Sequence, residues 1–389
     1  MRVAASESER RQLNETFAAL CAAESPSGQE RVCADLVVAQ LAKAGVAVVE
    51  DDAAAVVGGD CGNLFARVPA REQIDAPSVL LCAHLDTVPP AVPVRPVVRD
   101  GAWQNDQPGV LGADNKAAVA VVLQVARRAA EHGLSVELEL LFTVGEERAL
   151  AGARALEPEA VRSRIGFVFD HATPIGDVVV ASPSLYRLEA TFHGAAAHSG
   201  IRPEQGRSAI VAAARAVADM RLGRLDEQTT ANVGTIGGGS AINVVPERCT
   251  LLAEVRSLSE ARAEEVVAEM VDRIHDAANM PDCDCDVDVS VQRLFAGYRL
   301  GSAARPVAAA SRALRRCGHE PRLIESGGAS DANELQRRGL QVVNLADGSE
   351  RNHEPGERIG VVALEGLLDV ALTLTDELAP RPANQEDPP

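Results

Sequence analysis

The chain predicts an α/β fold built on a mixed sheet, with a smaller α+β unit inserted into it. Two features of the hydrophobic pattern carry this expectation. Through the first half, apolar strands alternate with apolar helices, as in a sheet covered by helices. Between about residues 183 and 296 the order becomes strand, helix, two strands, helix, strand, the β-α-β-β-α-β unit of ferredoxin-like folds. Helix–strand alternation then resumes. A catalytic domain of residues 1–182 and 297–389, interrupted by a domain of residues 183–296, is the expected organisation.

Taken in order, residues 10–22 and 29–45 read as helices, and VLLCAHL as a buried strand. Ala117–His132 is an apolar helix closed by Gly133, VELELLFTV is a strand and GFVFD another. The insert supplies SLYRLEATFHG, the helix SAIVAAARAVADM, strands TANVGTIGG and CTLLAEVRSL, the helix EARAEEVVAEMVDRIHDAAN and the strand DVDVSVQRL. Beyond it come the helix AARPVAAASRALRRCG and the strand LQVVNLA, then a Pro-rich acidic tail, APRPANQEDPP, expected to fray.

With 389 residues, 46% of them hydrophobic, the chain can bury large cores. A formal charge of -18 with no long basic run argues against nucleic acid or an anionic membrane as partner. The opening MRVAASESERRQLNETF lacks the apolar core of a signal peptide and no later stretch would span a bilayer, so a cytoplasmic location is expected. The eight cysteines form no CxxC pair and read as free thiols; Cys283-Asp-Cys285 reads as a turn entering a strand.

Chemistry gathers where apolar runs stop. His84 and Asp86 end VLLCAHLDTV, Asp114 lies in GVLGADNKAAVAVV, Glu146 and Glu147 follow LELLFTV, and Asp170 ends IGFVFD. Such positions face the carboxyl edge of an α/β sheet. Asn352-His353-Glu354 comes far downstream. Imidazole and carboxylate donors suit a divalent metal such as zinc, and a pair of ions needs a carboxylate that can bridge them. The two-residue spacing of His84 and Asp86 on a strand lets Asp86 orient the imidazole through its second nitrogen. Asp114 has an ordinary alternative as the N-cap of the following helix. The adjacent side chains of Glu146 and Glu147 diverge, so one can face a metal and the other a substrate water; alone, a GEE would be a solvated strand end.

The ordered set HLDTV, GADNKAA, GEERALAGA, FDHA and a late His353 resembles the co-catalytic di-zinc metallopeptidases that include peptidase T, glutamate carboxypeptidase and aminoacylase. The resemblance covers almost the whole chain. GAAAHSGIRPEQGRSAI and GGGSAINVVPE in the insert are similar to the family's lid-domain signatures, with the peptidase T-like branch nearest. It implies that His84 and Asp170 hold one metal, that Glu147 and His353 hold the other, and that Asp114 bridges them through a cis peptide bond to Asn115. Two divalent ions are implied, zinc foremost, with cobalt or manganese as alternatives. Glu146 would be the general base in amide hydrolysis. His198 and Asn243 match lid contacts that reach the reacting carbonyl, and in resembling enzymes that pair along the lid they serve the partner's site. A homodimer through the insert is thus implied. Arg256 could grip a substrate carboxylate, with a surface ion pair as the ordinary alternative, and Gly328 in SGGASDANEL matches a loop lining the site.

Short peptides are the implied substrates. An N-acyl amino acid deacylase using the same residues is the alternative, and a non-catalytic binding protein of this fold is the third reading, disfavoured because every proposed ligand and Glu146 is present. No G-x-S-x-G elbow supports a serine hydrolase. Ala83 and Glu354 depart from the family, which has Gly and a small hydroxyl residue there. His171 stands where a small residue is usual, as a pocket-lining candidate. His132, His275 and His319 have ordinary structural explanations, and His193 matches no catalytic position.

Overall fold

A computed structural model describes residues 4–71, 77–157 and 160–379; nearly all of the tail expected to fray lies outside them. The chain divides into two compact units. Residues 1–180, 299–325 and 330–389 form the first, and residues 181–298 with 326–329 the second. The short segment Ser326–Ala329, part of SGGASDANEL, thus belongs to the second unit.

Four parallel strands lie at the centre of the main sheet, in the order Glu137–Thr143, Ser78–His84, Ile165–Phe169, Gln341–Leu345. All four are buried along nearly their whole length, as strands covered on both faces are. Their carboxyl ends are in line: His84 is opposite Thr143, and Phe169 is opposite Leu345. Antiparallel strands complete both sides, Leu64–Val68 and Val48–Glu50 on one and Asp177–Ser182 on the other. These outer strands are not among those expected from the sequence.

The helix Ala113–His132 is buried over most of its length, and ends at Gly133 as its sequence predicts. Its small Ala and Val side chains permit close packing. Asp114 and Asn115 have non-helical backbone angles, so the regular helix starts one turn late. Lys116, also buried, donates from Nζ to the carbonyls of Leu20 (3.0 Å) and Ala23 (2.8 Å), satisfying the end of the helix Glu7–Ala22. A small sheet joins Pro96–Arg99, Ala102–Asn105, Arg358–Gly360 and Ser349–Glu350, and holds the turn of residues 351–357 at both ends.

The second unit is an antiparallel sheet in the order Gly223–Asp226, Thr229–Gly238, Arg248–Ser257, Ser184–His193, Asp286–Phe295. The helices Ala209–Asp219 and Glu260–Ala278 share its core: Ala212, Ala216, Val266, Met270 and Ile274 are buried with Leu188, Phe192, Leu251 and Val255. The β-α-β-β-α-β order is as the sequence predicts. The added edge strand Gly223–Asp226, four residues with no apolar alternation, is not.

All eight cysteines are buried and none is in a disulfide, and Cys283 and Cys285 lie in the turn before the strand Asp286–Phe295. No described helix is long and apolar enough to cross a membrane.

Candidate metal centre

The carboxyl ends of the parallel strands bring together five residues from distant parts of the chain. His84, Asp114 and Asp170 form one group whose ligand atoms lie within 4.8 Å of one another; Asp114, Glu147 and His353 form a second. Asp114 belongs to both. Its Oδ1 is 3.1 Å from His84 Nε2, and its Oδ2 is 3.4 Å from His353 Nε2 and accepts from Asn352 Nδ2 at 3.0 Å. Asp170 Oδ1 is 3.6 Å from His84 Nε2. The Asp114–Asn115 peptide bond is cis. Both oxygens of Asp114 turn toward imidazoles, and no side-chain cap bond marks the start of its helix, so the N-cap alternative is not what the structure shows. Glu146 is buried, and its carboxylate falls within 4.8 Å of the ligand atoms of His84 and Glu147.

Asp86 lies beside the second nitrogen of His84, as expected, though not by way of a shared strand face. The strand stops at His84, so the two residues do not share a strand face. His84 Nδ1 instead meets the Asp86 backbone carbonyl at 2.9 Å, with the carboxylate at 3.4 Å. That carboxylate is drawn to the neighbouring loop, where it accepts the N–H groups of Glu146 (2.9 Å) and Glu147 (3.1 Å) and the hydroxyl of Ser27 (2.6 Å). One buried acid therefore sets two adjacent glutamates.

Other anchors escaped sequence reasoning. Asn344 accepts the Asp170 N–H at 2.9 Å and donates to its carbonyl at 2.8 Å. Asn115 donates to Phe169 O at 2.7 Å. Glu30 accepts from Gly28 and Gly145 (2.7 and 3.1 Å), and Glu357 accepts from Leu111, Gly112 and Asp114. An amide inside the apolar run LQVVNLA is a signal that could have found Asn344. Glu30 and Glu357 carry no comparable signal. Backbone strain gathers here as well: Ala149, Leu150, Arg351 and His353 all have φ near +60°, each costing about 1–3 kcal/mol outside glycine.

The electrostatics call for cations. Burial, reinforced by neighbouring acids, pushes up the carboxyls of Glu146, Asp170 (to about 7), Asp331 (to about 6) and Asp347. Burial works against a charge on His84, yet Asp170, Asp114 and Asp86 hold its pKa well above that of free imidazole. The carboxylates of Asp114 and Glu147 close beside it raise His353 to about 10. Glu147 Oε1 lies 2.7 Å from His353 Nε2 without the alignment of a hydrogen bond, the relation of two ligands facing a common centre. Nitrogen and carboxylate donors in two groups with one shared acid fit a pair of divalent ions.

Of the remaining expected residues, His198 and Asn243 come together in the second unit. Ser199 N–H donates to Asn243 O at 3.0 Å, His198 bridges to Val244, and both side chains are exposed. Arg256 is bound by Glu254 of its own strand at 3.1 and 3.2 Å, the ordinary ion pair rather than a free guanidinium. Gly328, exposed, donates to Ser326 Oγ and accepts from Ser182. His171 is half-buried, and burial lowers its pKa. His193 pairs across strands with Asp288 at 2.9 Å. Glu354 is exposed, facing solvent.

The peptidase dimerisation domain matches residues 181–279, and peptidase family M28 matches residues 63–200. The chain is 33% identical to the uncharacterized protein YqjE of Bacillus subtilis over 95% of its own length and 99% of that protein's. Among solved structures it resembles aminopeptidase PepT from Bacillus cereus (34% identity, TM-score 0.83, 95% of this chain and 99% of that one). A tripeptidase from Staphylococcus aureus is similar at 32% identity and TM-score 0.87, covering 95% and 98%. With a mixed-sheet catalytic unit, an inserted dimerisation-type unit and relatives matched end to end, the chain belongs to the co-catalytic metallopeptidase family of peptidase T, glutamate carboxypeptidase and aminoacylase, in its peptidase T-like branch.

Proposed function

We propose that this protein is a two-metal exopeptidase, zinc being its metal, that removes residues from short peptides. The observation that carries the reading is Asp114, shared by both ligand groups with Glu146 beside them. His84 and Asp170 would hold one ion, Glu147 and His353 the other, and Asp114 both. When bound, the ions supply the positive charge that polarises a scissile carbonyl and acidifies water. Glu146, buried and with its pKa raised, takes the proton from that water and later returns one to the leaving amine. Asp86 keeps Glu146 and Glu147 pointed to their separate tasks by fixing both of their N–H groups. His198 and Asn243 are the donors the second unit offers to the developing oxyanion, an assignment supported by their adjacency and by the family resemblance. Aminopeptidase and tripeptidase relatives favour peptide substrates.

The test is Glu146→Gln assayed beside the wild type on di- and tripeptides and on N-acyl amino acids, with zinc, manganese or cobalt added. Wild-type hydrolysis of peptides, and a variant that keeps two ions but loses about 10²–10⁴-fold in kcat, is the expected result. Turnover of N-acyl amino acids alone would make the protein a deacylase. Lost metal with retained activity would exchange the roles of Glu146 and Glu147.

A further inference from the structure

We propose that Glu357 is a positioning residue that holds Asp114 and His353 in register, so that its loss weakens ion binding at the shared carboxylate. The inference rests on the two-ion reading above. Glu357 is 1% exposed, and the bonds described for its carboxylate are all from backbone N–H groups. Its Oε2 accepts the N–H groups of Leu111 and Gly112, both at 2.8 Å, and its Oε1 accepts the N–H of Asp114 at 3.0 Å. These donors lie at and just before the start of the helix Ala113–His132, whose N-cap Gly112 has no side chain to cap it. The cap comes instead from 243 to 246 positions away, from the turn that carries His353.

Two further bonds close the same two loops. Gly356 N–H donates to Gly109 O at 3.2 Å, and Asn352 Nδ2 to Asp114 Oδ2 at 3.0 Å. Glu357 is thus the central tie between a ligand shared by both groups and a ligand of the second. The geometry requires a carboxylate. Three donors converge on two oxygens, and an amide at this position would turn its NH₂ toward an N–H group. Aspartate, one methylene shorter, keeps the charge but not the reach.

The experiment removes metal by chelation and titrates the full-length protein with cobalt(II), reading visible absorption. Wild type is expected to take up two ions. Glu357→Gln should bind them about 10–100-fold more weakly, with an altered cobalt spectrum, because the outer partner of a ligand is lost. Glu357→Asp should fall between the two. A Glu357→Gln titration and spectrum matching wild type would overturn the inference, whatever happens to thermal stability or turnover, and would leave the two-ion reading standing. Wild type binding fewer than two ions would sink both. Should Glu357→Gln fail to fold, Glu357→Asp is titrated in its place and a wild-type result is again fatal; failure of both to fold overturns the proposal, since Glu357 would then determine the fold and not the site.

Discussion

Gly152→Ala should damage both stability and catalysis, although residue 152 touches no proposed ligand. Gly152 is the second residue of a short helix, Ala151–Ala155, that follows the Glu146–Glu147 loop, and its N–H donates to Val144 O at 2.9 Å. A methyl group there would stand 2.2 Å from Val144 O and 2.5 Å from Asn63 Oδ1. Ordinary contact begins near 3.4 Å, so the two segments must part by about 1 Å. Parting them stretches the Gly152–Val144 bond and the 3.1 Å bond from Asn63 Nδ2 to Gly152 O, each worth about 1 kcal/mol net. With the strain of overpacking, a destabilisation of roughly 2–4 kcal/mol follows. Val144 lies two residues before Glu146, and a displacement of about 1 Å at a reacting group costs on the order of 100-fold in rate. Urea unfolding followed by the fluorescence of Trp103, together with kcat/KM on a tripeptide, measures both effects. Gly301→Ala, with open space around its Cβ, serves as the neutral control. A Gly152→Ala protein with a wild-type midpoint and kcat/KM within about twofold of wild type would refute this account of the loop.

Asp86→Ala leaves the buried N–H groups of Glu146 and Glu147 without their acceptor and should cost roughly 2–5 kcal/mol and about 10–100-fold in metal affinity; unchanged affinity by calorimetry would contradict its role. Glu9 tests the pH dependence: burial opposes its ionisation, but hydrogen bonds from Arg128 and Ser6 outweigh this and lower its pKa from 4.5 to about 2. Its contribution is therefore present above pH 4.5 and is lost as the pH falls toward 2, so Arg128→Met should cost about 1 kcal/mol, after solvent screening, at pH 7 and little near pH 2, as read from urea midpoints. If the protein is a dimer in which His198 serves the partner's site, co-expressed His198→Ala and Glu146→Gln chains should recover up to about half of the per-site activity in mixed dimers; a fully active monomer in sedimentation, or no recovery, rules this out.

The sequence made legible those parts of the fold that rest on local pattern. The central parallel strands are mostly apolar runs, and a ligand or acid follows three of them within a few residues. The insert announces itself because its helices and strands change period at each turn. What stayed hidden depends on tertiary approach. Asp86 looked like a partner for His84 alone, since nothing in HLDTV shows that the Glu146 loop will lie beside it. Glu30 and Glu357 accept backbone N–H groups, and a backbone donor leaves no mark in sequence. The strands Gly223–Asp226 and Pro96–Arg99 are too short and too exposed to show a period. Arg256 was ambiguous, and Glu254 two residues away, on the same strand face, decides its pairing.

The order of the ligands along the chain bears on how the enzyme is made. His84, Asp114, Glu147 and Asp170 are synthesised first; then the whole second unit must be translated before His353 and Glu357 appear. At 5–20 residues per second, the interval of about 180 residues lasts roughly 10–35 s. Throughout it, the first ion group has its three ligands while the second has only Asp114 and Glu147. The Asp114 loop also waits for Glu357 to cap it. On the two-ion reading neither group would be held in place during this interval, since Asp170 is anchored by Asn344 and Asp114 by Glu357, so that ion binding, coupled to folding, would come only when the chain is nearly complete. A chain ending before residue 341 would on that reading lack the anchors of both groups, and bound ions would mark a nearly finished molecule.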